Sequence, residues 1–157
     1  MAKKECAKRV DIVSIKMIKE SSVKYESRTI SNPSDIYLLV KEFLEGFDRE
    51  KLLVVCLNTK NQPINISTVS IGTLNTSLVH PREVFKTAIL SNSSKIALAH
   101  NHPSGDVTPS KEDEFITKRI QQAGVILGIE LIDHLIIVDD EYFSFKENGF
   151  LDEENLV

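Results

Sequence analysis

The sequence predicts a single α/β domain with a mixed β-sheet flanked by helices. Three observations predict it. At 157 residues the chain fits one domain and can bury a substantial core. Apolar runs of strand character alternate along it with stretches whose apolar residues fall at helical spacing. Gly, Pro, Asn, Asp and Ser punctuate the boundaries, and interleaved strands and helices of this kind stack helices on the faces of a sheet.

The elements follow in order. Residues 1–9 are polar and expected to be flexible. Val10–Ile18 (VDIVSIKMI) alternates and predicts a half-buried strand, while residues 23–30 alternate less regularly and read as a partner strand or an extended arm. Asn32-Pro33-Ser34-Asp35 starts a helix that runs to about Glu45 and stops at Gly46, burying Ile36, Leu39, Val40, Phe43, Leu44 and Phe47. Leu52–Leu57 is a continuous apolar run, hence a central strand. It turns at Asn58-Thr59-Lys60-Asn61 and returns as Pro63–Ile71. Gly72-Thr73-Leu74-Asn75 breaks the pattern. His80-Pro81-Arg82-Glu83 opens a second helix to about Leu90, with Val84, Phe85, Ala88 and Ile89 inward. After a Ser91–Ser94 loop, Lys95–His100 is a short strand. A third helix runs from Ser110 to about Ala123, with Phe115, Ile116, Arg119 and Ile120 along one side and Gly124 as its stop. Ile129–Val138 and Tyr142–Phe145 close the sheet around Asp139-Asp140-Glu141. The domain is thus residues 10–150, and 151–157 form an acidic tail.

Composition excludes several classes. Hydrophobic content of 41% and charged content of 27% are those of an ordinary globular protein. A net charge of −4 argues against a chain that lives on nucleic-acid phosphates. No apolar run is long enough to span a membrane, and the basic N-terminus leads into no apolar signal segment. Cys6 and Cys56 form neither a metal motif nor a disulfide framework, so a reduced, cytoplasmic protein is expected. An edge strand near a terminus could pair in a dimer.

The chemistry concentrates at Ala99–Asp113. His100 and His102 share one face if the strand continues two residues, giving a compact bidentate grip for zinc. Asp113, at the start of a helix, can turn its carboxylate back toward them. Two imidazoles and a carboxylate leave a fourth tetrahedral position for water, the pattern of a catalytic site. Ser110-x-x-Asp113 also fits a capping box that serves only the helix. Such a site needs a base, and Glu42, Glu45, Glu50 and Glu83 are all candidates. His80 reads as a helix-start residue, Arg82-Glu83 as a solvated pair, and His134 as a core partner of Asp133 with a supporting role at the site open to it. Asn101 is expected to be exposed opposite the ligand face. Ser104 or Asp106 could touch a substrate, though no sequence signal assigns either to it.

His100-x-His102, seven residues, then Ser110-x-x-Asp113 is similar to the JAMM signature of MPN-type metallohydrolases. Gly72-Thr73-Leu74, His80–Val84, HNHPSGD at His100–Asp106, Pro109-Ser110 and Leu131–His134 resemble the RadC-like JAB-domain family. The resemblance implies a cytidine-deaminase-like (MPN) fold with one zinc ion held by His100, His102 and Asp113. It further implies Glu50 as general base and Ser110 as a hydroxyl that helps hold an oxyanion. Full-length members carry an N-terminal helix-hairpin-helix segment, whereas the residues before Asn32 here read as strands and arm.

The activity expected is hydrolysis of a peptide or isopeptide bond by metal-activated water, on a protein or peptide substrate. The competing readings are a DNA-repair accessory or nuclease-like factor, suggested by the literal His100-Asn101-His102 string, and a metal-binding interaction module without turnover. Nucleic acid is not an expected partner for this chain alone. A nucleobase deaminase is excluded, because His-x-Glu and Pro-Cys-x-x-Cys are missing.

Overall fold

The computed structural model describes residues 8–72 and 79–152. Three helices and five strands follow one another as α1 (Pro33–Leu44), β1 (Lys51–Leu57), β2 (Pro63–Ile71), α2 (Pro81–Leu90), β3 (Lys95–Asn101), α3 (Lys111–Leu127), β4 (Glu130–Val138) and β5 (Glu141–Ser144). The strands form one sheet in the order β2-β1-β3-β4-β5. Only β3 and β4 run parallel, and α3 supplies the crossover that a parallel connection needs.

Strand parity divides the core into two layers. Leu52, Val54 and Cys56 of β1, with Ile96 and Leu98 of β3, face Val84, Phe85 and Ala88 of α2 and Ile116 and Ile120 of α3. Leu53, Val55 and Leu57, with Ala97 and Ala99, face Ile36, Leu39, Val40 and Leu44 of α1. The central strands are buried on both faces, which is why they read as unbroken apolar runs. His100 falls on the α2/α3 side of this alternation, at the end of β3.

Helix ends follow the sequence signals at α1. Asn32 accepts from the Asp35 N–H while the Asp35 carboxylate accepts from the Asn32 N–H, and Pro33 occupies the first turn. Gly46, at φ 74°, lies just beyond the other end.

Several expectations are corrected. Val10–Ile18 is not a strand, and residues 23–30 pair with no strand; of this segment only Ile30 is buried, its N–H bonded to the Asn61 carbonyl at 2.9 Å. A strand needs a neighbour to fill its backbone hydrogen bonds, and this segment does not lie along either sheet edge. Phe115 and Ile89 are exposed rather than inward, because their positions fall off the buried stripes of their helices, and Phe47 is exposed because α1 ends at Leu44, before reaching it. Gly124 does not stop α3, which continues to Leu127 and ends at Gly128 in the left-handed region (φ 68°). Gly124 is instead a contact point: a Cβ there would collide with the Ile129 carbonyl and meet the Phe85 ring at 3.4 Å. The expected break over 72–75 falls mostly outside the described residues, as do Cys6, most of the N-terminal segment 1–9 and most of the acidic tail.

The two glycines should separate experimentally. Gly124→Ala is expected to lower unfolding stability by roughly 1–3 kcal/mol through overpacking. Gly128→Ala should cost about 1 kcal/mol through backbone strain alone. Urea unfolding of both variants measures the difference.

Candidate metal centre

The site lies where β3 ends beside the N-terminus of α3. β3 presents His100, and the chain continues so that His102 stands beside it, ring centroids 4.8 Å apart. Ser110 caps α3: its side chain accepts from the Asp113 N–H at 3.1 Å, and its hydroxyl and N–H donate to Asp113 Oδ2 at 2.7 and 2.8 Å. The capping box and the site are therefore one structure, since the residue that closes the cap also turns its carboxylate to the histidines. His100 Nε2 lies 3.3 Å from Asp113 Oδ1, and His102 Nε2 lies 3.3 Å from Oδ2 and 3.0 Å from His100 Nε2.

The hydrogen-bond partners fix which ring nitrogens carry protons. The Thr117 hydroxyl donates to the Asp113 carbonyl at 2.6 Å, so toward His134 Nδ1, also at 2.6 Å, it can only accept. His134 is thus protonated at Nδ1 and bare at Nε2, which receives the Nδ1–H of His100 at 2.8 Å. His102 Nδ1 donates to the Asp106 carbonyl at 2.7 Å. With both rings neutral, the Nε2 atoms are lone pairs aimed at each other and at a carboxylate; a second proton on either Nε2 would be shared with Asp113. Three electron-pair donors converge with no donor hydrogen among them, a repulsive arrangement unless a cation or proton joins it.

The separations test the fit to a metal. Tetrahedral ligands about 2.0–2.1 Å from an ion stand roughly 3.3 Å apart. The observed 3.0–3.3 Å matches. His100, His102 and Asp113 are a group that could hold a metal ion.

Electrostatics agree with this crowding. Burial pushes the His100 pKa down against the pull of Asp113. The hydrogen bond to Asp113 raises that of His102. Burial alone would raise the Asp113 carboxyl, but its bonds to His100 and His102 outweigh that and hold it well below the usual carboxylate range. Burial, then repulsion from any proton on the His100 ring, pushes the His134 pKa well down, in keeping with the neutral ring that its hydrogen bonds require.

Glu50 immediately precedes β1 and is half-buried. Leu52 pairs with His100, so two residues further in the antiparallel sense Glu50 comes level with His102. Its charge adds a small upward pull on both histidines, behind burial and Asp113 at His100 and behind Asp113 at His102. It lines a cleft of about 490 Å³ with Asp48, Arg49, Gly72, Pro103 and Ser104. A second cleft, of about 460 Å³, shares Pro103 with the first and is lined by His102 and by the Gly46–Phe47 and Asp139–Asp140 turns.

Other expectations are redirected. Asn101 is buried, not exposed: its Oδ1 accepts from the Lys51 N–H at 2.7 Å and its Nδ2 donates to the Arg49 carbonyl at 3.0 Å. The His134 ring does not pair with the Asp133 carboxylate, which accepts from the His134 and Lys146 N–H groups and the Ser144 hydroxyl. Asp106 serves the site through its carbonyl. His80 caps α2 without a side-chain bond and stands outside the group. Thr117 was not singled out by sequence reasoning, although it lies four residues, one helical turn, beyond Asp113.

A mixed five-stranded sheet with three helices and a His-His-Asp group at strand and helix ends defines an α/β domain of the MPN/JAB class. Profile comparison matches residues 30–150 to the RadC-like JAB domain, and the chain belongs to that family. It is similar to a UPF0758 protein of Desulfitobacterium hafniense, 56% identical over 122 residues, or 78% of this chain and 54% of that protein. UPF0758 proteins of Caldanaerobacter subterraneus and Methanosarcina mazei are 51% and 45% identical over 85% and 84% of this chain, and 57% and 58% of their own lengths. The chain spans about half the length of the curated relatives it matches.

Thr117→Val would leave His134 Nδ1–H buried without an acceptor and loosen His100. It should weaken divalent-ion affinity by about 10- to 100-fold, with Thr117→Ser close to wild type. A proton and an ion compete for the same lone pair of His102. Affinity should therefore be flat above its raised pKa and fall about tenfold per pH unit below it. Metal titrations of the three proteins between about pH 5 and 8 read both effects.

Proposed function

We propose that the chain is a zinc-dependent hydrolase of peptide or isopeptide bonds. The observation that carries this reading is the convergence of two bare imidazole nitrogens and a carboxylate at ligand separations, with a second carboxylate, Glu50, alongside. A mixed nitrogen and oxygen set of three protein ligands suits zinc and leaves one position open. Zinc bound there would lower the pKa of water toward about 7 and polarise a substrate carbonyl.

The chain's own residues supply the rest. Glu50 takes the proton of the attacking water and delivers it to the leaving amine. Ser110 turns its O–H from Asp113 Oδ2 to the carbonyl oxygen as negative charge develops there, while its N–H keeps hold of the Asp113 carboxylate. His134 and Thr117 hold the His100 ring in one tautomer, so its Nε2 stays available. The substrate is a protein or peptide whose chain crosses Pro103, with one side in each cleft. The net charge of −4 gives nucleic acid no place as the substrate of this chain alone. A cytoplasmic setting accords with Cys56, a buried free thiol. No helix among the described residues is long and apolar enough to cross a membrane.

Elemental analysis should find about one zinc per chain in the wild type and nearly none in His102→Ala. Glu50→Gln should keep its zinc and lose about 10²- to 10⁴-fold in hydrolysis of a responsive peptide or isopeptide substrate. A wild type that neither holds nor takes up zinc sinks the proposal. Zinc without turnover on a broad substrate panel would leave a metal-binding interaction module.

A further inference from the structure

The segment before Ile30 is the largest unexplained feature outside the site. Val10, Ile12, Val13, Ile15 and Ile18 are 73% or more exposed. Residues 8–24 lie in no helix, strand or turn. A run this rich in β-branched residues has high strand preference and no strand beside it. Its root is fixed, since Ile30 is buried and bonded to the Asn61 carbonyl at the β1–β2 turn.

We propose that this arm is a dimerisation strand that pairs antiparallel with the same arm of a second copy. The sequence is self-complementary in one register, with Ile15 facing itself across the two-fold axis. Asp11 then lies opposite Lys19 of the second copy and Val13 opposite Met17, all on the face of Ile15. On the other face Ile12 lies opposite Ile18. Both Asp11–Lys19 pairs of the dimer join opposite charges, and the apolar residues of that face meet apolar residues. A shift of two residues either way sets Asp11 against Met17, or Lys16 against itself. β2, the edge strand nearest the root, carries no charged residue to answer Asp11 or Lys19. A second copy is therefore the occupant that the arm's charges select.

Sedimentation equilibrium of the intact chain tests this, with all variants in a Cys6→Ser background. The chain should show a concentration-dependent dimer. Asp11→Lys and Lys19→Asp should each raise its dissociation constant at least about tenfold, and the exchange D11K/K19D should restore it. Directly opposed strand residues have Cα atoms about 4.5–5.5 Å apart, within disulfide reach. Ile15→Cys should thus cross-link two copies on oxidation, while Ile12→Cys should not. The arm lies outside the core, so urea unfolding of each variant should match wild type. A monomer at all concentrations overturns the proposal, even if the arm then binds lipid vesicles. A dimer indifferent to the charge reversals, or not restored by the exchange, overturns it equally.

Discussion

The centre of this molecule depends on an electrostatic imbalance: with both rings neutral, three lone-pair donors face one another in a buried corner, and none brings a hydrogen to the others. Such a cluster is costly in a low-dielectric setting unless a positive charge enters it. The surrounding structure keeps it from relaxing. Thr117, His134 and Asp106 occupy the outer nitrogens and thereby dictate what the inner ones can do. Each partner is anchored on a different element, Thr117 on α3, His134 on β4 and Asp106 in the loop between β3 and α3. The arrangement is a property of the packed domain and not of the short motif alone.

The sheet explains why that corner exists. Parallel neighbours β3 and β4 bring their ends to the same side, and α3, linking them, begins there. The helix N-terminus offers unpaired N–H groups where a carboxylate is stabilised, so Asp113 is favoured by the helix as well as by the histidines. Fold stability and ligand placement share one side chain. At the other end of α3, Gly124 packs closely against the Ile129 carbonyl just before β4 begins.

Much of this was legible in the sequence, for physical reasons. Buried strands and capped helices leave strong local signals, and Asn32-Pro33, Ser110 and the apolar runs of β1 and β3 announce their elements. His100, His102 and Asp113 lie close in sequence, so spacing alone brings them together. Thr117 becomes visible only with the turn of α3, and Glu50, one of four candidates by spacing and the one the resemblance implied, comes level with His102 through the register of β1 on β3. Val10–Ile18 misled because alternation reports a preference for strand and not the presence of a neighbour. Gly124 misled because a glycine that ends a helix and one that admits a backbone look alike in a sequence. Asn101 misled because parity gives direction without saying that a second layer, the α1 face, lies on that side as well.

Asn101 carries a consequence of its own. Standing between the two histidines, it grips the backbone of residues 49 and 51 from the opposite face of β3. The chain on either side of Glu50 is thus riveted to the strand that bears the imidazoles. The backbone that carries Glu50 is tied directly to the backbone that carries the histidines, and not only through the connection from α1. That connection, Glu45–Asp48, lines the clefts on which the site opens. Diversity in the mouth of the site can accumulate there, outside the backbone ties of its interior.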